Sequence, residues 1–384
     1  MTLRVLTVIG TRPEAIKLAP VVRRCIADDS VTAIVAVTGQ HRSMLDQVLP
    51  AFGIVPEYDL DLMRPGQGLA DLSARALSRL DPLVKSVSPD VVMVQGDTTT
   101  ALCGGLVAFY NQVPVVHLEA GLRTGDRYSP FPEELNRRIL AQVATLHLAP
   151  TTNNRAALIR EGVPAADIVV TGNTVIDALL DTSASVAEIH DRRLSNLLSS
   201  MTAGQRLVLV TAHRRESWGA PMTAIASAIA RLADADPTLI VVFPVHKNPV
   251  VRDTVMPLLS TRSNIHLLEP LGYVDFVRCM ARATLVLTDS GGVQEEAPSL
   301  GKPVLVMREV TERAEALEAG TAQLVETSEE CIFTASWRLL TSATEYERMA
   351  HAVNPYGDGR AAERAVLALR HRFADGPPPL QFCG

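Results

Sequence analysis

Three acidic positions stand where an α/β protein would present them to a ligand: Asp97 in QGDTTTAL, Glu119 in HLEAGLRTG and Glu133 in SPFPEELNRR. Taken singly, each has an ordinary explanation. An Asp before a threonine run looks like a helix N-cap, and acidic residues are common in a first helical turn. Three such clusters converging on one sheet edge are less ordinary. Like charges brought together raise pKa values, and this suits proton transfer.

The remaining candidate chemistry is basic or made of backbone. In GTRPEAIK, Gly10 allows a tight turn, a helix begins near Pro13, and Arg12 and Lys17 sit beside its positive N-terminus, a good place for an anion. TAHRRESWG places His213, Arg214 and Arg215 at a strand exit, a combination that suggests phosphate contact. In LTDSGGVQEEAPSLG, Asp289, Ser290, Gly291 and Gly292 lie between a strand and a helix. Glycines there let backbone N–H groups approach and cradle a phosphate. Glu296 lies one turn beyond Gly292, within reach of a ribose diol, whereas Glu295 reads as solvent-facing. None of these segments is a GxGxxG or Walker loop, so a dinucleotide or ATP site is not indicated.

These residues need a scaffold that brings strand ends together. Short Val/Ile/Leu runs alternate with amphipathic stretches, which predicts βα units around parallel sheets buried on both faces. The first series of strands is expected at Arg4 to Ile9, Ala33 to Thr38, Val91 to Gln95, Val113 to Leu118 and Ile168 to Thr171, with helices at Ala15 to Ala27 and Leu69 to Val84. The second is expected at Leu207 to Thr211, Leu239 to Pro244, Ile265 to Leu268, Leu285 to Thr288 and Val304 to Met307, with a helix at Met222 to Asp234. The class is α/β, with two Rossmann-like domains facing a central cleft. Strand character lapses after Asp181, so the domains are placed at residues 1–175 and 176–360, and 361–384 form a C-terminal helix and tail that returns to the first domain. The last residues, ADGPPPLQFCG, are expected to fray.

Composition narrows the function further. At 384 residues the chain can bury two cores, and 47% hydrophobic with 20% charged residues is ordinary for a globular protein. A net charge of -6 opposes nucleic-acid binding, which needs a basic surface. No apolar run approaches the roughly 20 residues needed to span a bilayer, and MTLRVLTVIGTRPE turns polar too early for a signal peptide. A cytoplasmic protein without membrane contact is expected. The five cysteines form neither a CxxC pattern nor a disulfide framework and read as buried free thiols, so no metal site is expected.

In order along the chain, GTRPEAIKLAP, QHRSMLDQVLP, GDTTTAL, EAGLRTGDRYSPFPEELNRR, GNTVIDALL, HRRESWG, DSGGVQEEAPSLGKPVLVMR and NPYGDGRA closely resemble the non-hydrolysing UDP-N-acetylglucosamine 2-epimerases, over about residues 4 to 370. That resemblance implies a glycosyltransferase B-type fold and interconversion of UDP-N-acetylglucosamine and UDP-N-acetylmannosamine through UDP and 2-acetamidoglucal. It implies no cofactor, a homodimer, and a product used for cell-surface polysaccharide or related sugars. Asp97, Glu119 and Glu133 fall on the family's catalytic carboxylates, and His213 joins Arg12 and Lys17 near the diphosphate and reacting sugar. Ser290, Gly291 and Gly292 fall on its phosphate cradle, Glu296 on the ribose contact, Arg313 on another substrate contact, and Leu271 and Phe276 on the uracil side. Leu271 stands where Gln is common, and Ala314 where Pro usually follows TER. Gln40, Arg214 and His246 match parts of an activating second site known in some members, while Ser43 and Gln67 fall at positions that vary. Which of Asp97 and Glu119 is the base stays open at this level. The alternatives are a retaining glycosyltransferase on the same fold, a hydrolysing epimerase, an epimerase of a modified UDP-sugar, and a noncatalytic sensor.

Overall fold

Apolar runs too short to make helices, separated by longer amphipathic ones, leave parallel pairing as the way to satisfy the strand backbone. The computed structural model describes residues 2–39, 48–64, 66–185 and 188–383. It divides into two compact units, Met1–Ala178 with Tyr356–Gly384, and Leu179–Pro355. Each is built on one parallel sheet, and together they are the two-domain α/β fold that the resemblance implies.

The first unit contains β1 (Leu3–Ile9), β2 (Val31–Val37), β3 (Tyr58–Asp59), β4 (Val91–Gln95), β5 (Val115–Leu118), β6 (Leu146–Ala149) and β7 (Ile168–Val170), in the order β3-β2-β1-β4-β5-β6-β7. Every residue of β4 is buried. Leu6, Val8, Val92 and Val94 pack against Leu72, Leu80 and Leu83 of the Leu69–Val87 helix and Val107 of the Thr99–Tyr110 helix. Each such leucine contributes roughly 1.5–3 kcal/mol on leaving water.

The second unit contains β8 (Leu207–Thr211), β9 (Ile240–Pro244), β10 (Ile265–Leu268), β11 (Leu285–Thr288), β12 (Val304–Val306) and β13 (Ala322–Leu324), in the order β10-β9-β8-β11-β12-β13. Val208, Val241, Phe243 and Leu287 pack there with Ile225, Ile229 and Leu232 of the Ala220–Ala235 helix. Strand order reverses once in each sheet, between β1 and β4 and between β8 and β11. Ligands of open parallel sheets bind beyond the carboxyl ends of strands at such reversals.

Several expectations need correction. Three strands were not anticipated: β3 and β13 are only two and three residues long, and in β6 His147 interrupts the apolar run. The tail does not fray at Phe382, which is buried and donates its N–H to Val170 O at 2.8 Å, using a carbonyl that edge strand β7 leaves open. Before it, the Ala361–Phe373 helix is capped by Asp177, which accepts from the N–H groups of Ala361 (3.1 Å) and Ala362 (2.8 Å). Cys25, Cys103 and Cys279 are buried, but Cys331 and Cys383 are exposed. Among the described residues no helix is long and apolar enough to cross a membrane.

Candidate functional site

The exits of β1 and β4 are fastened together. Gly10 has no room for a side chain, because a Cβ there would lie 2.2 Å from Thr100 Oγ1; close approach, rather than turn geometry, requires the glycine. Thr11 then caps the Arg12–Ile26 helix in a capping box with Glu14. The Glu14 carboxylate accepts from Gly10 N (2.9 Å), Thr11 N (2.6 Å) and Thr98 Oγ1 (2.6 Å), so one buried side chain spans both exits. Burial pushes its pKa up to about 7 against the pull of those hydrogen bonds. Arg12 is the first helical residue, half-buried, and pairs with no carboxylate among the described residues. This suits an anion at the helix N-terminus.

Register brings the first two carboxylates side by side. Gln95 of β4 pairs with Leu118 of β5; Asp97 follows two residues beyond one and Glu119 one residue beyond the other. Glu119 has φ +62°, a conformation non-glycine residues hold at a cost of order 1–3 kcal/mol and one that clusters at functional sites. Its carboxylate is held by Lys17, by the Gln95 amide and by Asn173 Nδ2 at 3.3 Å. Lys17 is therefore an ion-pair partner of Glu119 and not the solvated cation of an anion site.

Asp97 is held at every point of its turn. Arg137 Nη2 lies 2.5 Å from Oδ2, Asn136 Nδ2 donates to the Asp97 carbonyl at 2.8 Å, and His117 Nε2 meets the Gly96 carbonyl at 2.7 Å. Burial holds the Asp97 pKa above the ordinary range; Arg137 opposes this, Glu119 adds to it and Lys17 offsets it. Glu133 opens the Glu133–Val143 helix, half-buried. It shares a helix face with Asn136 and Arg137, at i+3 and i+4, the two residues that bind Asp97.

In the second unit, β8 and β11 are bridged by Thr211 and Thr288, whose hydroxyls lie 2.6 Å apart. Asp289, fully buried, accepts through Oδ2 from the backbone N–H groups of His213 (2.7 Å) and Arg214 (2.8 Å). His213 is exposed and stacks on His246, with ring centroids 6.0 Å apart. Arg214 is paired with Glu312 at 3.2 Å. Ser290 occupies the N-cap position of the short Gly291–Glu296 helix without a capping hydrogen bond from its side chain, and a Cβ on Gly291 would come within 3.0 Å of the Arg313 guanidinium. Leu271 and Phe276, both half-buried, flank Gly272, the cap of the Tyr273–Arg282 helix.

Glu295 does not face solvent as expected. It is buried and bound to Arg313 at 2.9 Å, while Glu312 holds the same guanidinium at 2.8 Å. Glu296 is half-buried, with Oε1 3.5 Å from where Gly292 would carry a Cβ. Gln40 and Ser43 lie outside the described residues; Gln67 is half-buried and its amide oxygen accepts from Arg64 N at 3.1 Å. Among the described residues no group of three His, Cys, Asp or Glu is arranged to hold a metal ion.

Sequence reading also passed over Glu14, Gln95, Asn136, Arg137 and Asn173. For Glu14 the capping-box pattern T-R-P-E was a usable signal, and for Asn136 and Arg137 so was their helical spacing from Glu133. Gln95 and Asn173 reach Glu119 only through tertiary packing.

A family model described as UDP-N-acetylglucosamine 2-epimerase matches residues 23–370. The UDP-N-acetylglucosamine 2-epimerase of Yersinia pestis is 52% identical over 371 residues, spanning 96% of this chain and 99% of its own. That of Escherichia coli K12 is 50% identical over 372 residues, with the same two shares. A crystal structure of UDP-GlcNAc 2-epimerase from Neisseria meningitidis bound to UDP-GlcNAc superposes with a TM-score of 0.86 at 43% identity, covering 96% of this chain and 100% of that one.

Proposed function

The chain belongs to the UDP-N-acetylglucosamine 2-epimerase family, and on that premise we propose that it interconverts UDP-N-acetylglucosamine and UDP-N-acetylmannosamine by the non-hydrolysing route. C2 of the sugar bears a weakly acidic proton with no adjacent carbonyl to take up its electrons. Departure of UDP supplies the outlet: the C2–H electron pair becomes the C1=C2 bond of 2-acetamidoglucal as the C1–O pair leaves with the diphosphate. Re-addition reverses both events, with the proton delivered to the opposite face of C2.

In this reading Asp97 and Glu119 exchange protons with C2, one taking and one returning, and Glu133 completes the acidic set. Arg12, His213 and the Ser290–Gly292 backbone stabilise charge on the leaving diphosphate, while Lys17 acts near the reacting sugar through its ion pair with Glu119. Glu296 and Arg313 bind the nucleotide, with Leu271 and Phe276 toward the uracil. A second, activating substrate site would draw on Gln40, Arg214 and His246. A homodimer in the cytoplasm, feeding cell-surface polysaccharide synthesis, belongs to the same proposal.

The observation that carries it is a half-buried Asp97 with a raised pKa, just past the strand that neighbours the one leading to an ion-paired Glu119, at the reversal point of a parallel sheet. Incubation with UDP-N-acetylglucosamine alone tests it. UDP-N-acetylmannosamine is the expected product; free N-acetylmannosamine would make the protein a hydrolysing enzyme, and no turnover without an acceptor would make it a transferase.

A further inference from the structure

Oδ2 of Asp289 has an evident task, since it fastens the turn after β8 through two backbone N–H groups and lies 3.5 Å from Ser217 Oγ. Oδ1 does not share it. This second oxygen is buried and has no hydrogen-bond donor among the described residues other than the His213 imidazole, whose Nδ1 lies 3.2 Å away, off the line of an ideal hydrogen bond. Such pairs are often loose in ligand-free sites and tighten when the site is filled. A cap for the β8 turn would need one oxygen only. Leaving the other buried against a single imidazole costs desolvation that an Asn at this position would avoid.

We infer that Asp289 is a positioning residue: it keeps the proton of His213 on Nδ1 and so reserves Nε2 for the diphosphate. The carboxylate is ionised to do this, because the His213 side chain and the backbone N–H groups of Arg214 and His213 outweigh burial and hold its pKa below the ordinary value. Nε2 has no protein partner among the described residues, and the ring is exposed. His246, stacked on the same ring, is arranged the opposite way: its Nδ1 accepts from Asn248 N at 3.2 Å, which puts its proton on Nε2. The two neighbouring imidazoles thus carry opposite tautomers, and only that of His213 is set by a charge. An imidazolium formed at His213 as the diphosphate departs is stabilised by the same carboxylate, the logic by which a buried Asp serves a catalytic His elsewhere.

This inference rests on the proposed role of His213, and the test separates the two. Asp289→Asn keeps an oxygen for the backbone N–H groups but turns an amide NH2 toward Nδ1, which forces the proton to Nε2. The expected result is a fall in kcat of about 10- to 100-fold, the scale of lost support behind a functional imidazole, with UDP affinity changed by less than about threefold. If His213→Gln lowers kcat while a folded Asp289→Asn turns over like the wild type, the inference fails and the reading of His213 stands. If His213→Gln leaves kcat intact, that reading fails and the inference with it. The unmutated protein gives a second test that does not depend on the variant folding. With 15N-labelled histidine, and His213 assigned from the His213→Gln spectrum, neutral His213 should carry its proton on Nδ1, and added UDP should shift chiefly Nε2. A proton found on Nε2 overturns the inference.

Discussion

At Asp97, burial and the Arg137 guanidinium act on one carboxylate in opposite directions, and burial prevails. A base must be ionised to work, so kcat/KM should fall on the acid side with an apparent pKa above the ordinary 3.8 of an aspartate. Asp97→Asn and Glu119→Gln should each lower kcat by about 100-fold or more, the scale of lost acid-base catalysis, with UDP binding little changed. Weak UDP binding with normal turnover would instead mark them as ligand contacts. Across the nucleotide residues the pattern should invert: Glu296→Ala and Arg313→Ala should weaken UDP binding measured by calorimetry. Unchanged affinity in both would move the nucleotide elsewhere. Residue type and strand-end position made Asp97, Glu119 and His213 legible in the sequence. They did not reveal that Lys17 neutralises Glu119 or that Glu295 is buried on Arg313, because those pairings join residues far apart in the chain or adjacent ones whose facing depends on packing.

The β1 exit turn and the Arg12–Ile26 helix show how an element can carry the cost of its own cap. Glu14 has a folded pKa of about 7 against an ordinary 4.5, so the fold favours its protonated form. By linkage its stabilising contribution is fully present below about pH 4.5 and is lost as pH rises through about 7, a change on the order of 3 kcal/mol. Glu14→Gln does not ionise, so its stability relative to the wild type should rise over that interval. Denaturant unfolding of both proteins across the range measures this, and a flat difference would contradict it. Gly10→Ala probes the same junction, because its Cβ must displace Thr100. It should destabilise by about 1–3 kcal/mol, the usual scale of overpacking. Unaltered stability would mean that the β1 exit and the Thr99–Tyr110 helix are not tightly apposed. Long amphipathic helices and fully apolar strands were legible here from period alone. Two- and three-residue edge strands were not, since they exist only by pairing with a neighbour already in place.

For the whole molecule, alternation of apolar runs with amphipathic helices was enough to foresee two parallel α/β sheets, because doubly covered strands leave a continuous hydrophobic signal. The order of strands was not written in any local pattern. It depends on which helix covers which face, and it is this order that sets β1 beside β4 and β8 beside β11. The tail was misjudged for a related reason: ADGPPPLQFCG looks unstructured by composition, yet Phe382 finds a carbonyl that β7 leaves open. The central claim is that epimerisation passes through removal of the C2 proton by a carboxylate, and turnover in deuterated water measures it most directly. The account predicts product carrying deuterium at C2, with small amounts of UDP and 2-acetamidoglucal released on long incubation. Product epimerised at C2 but free of deuterium would contradict it.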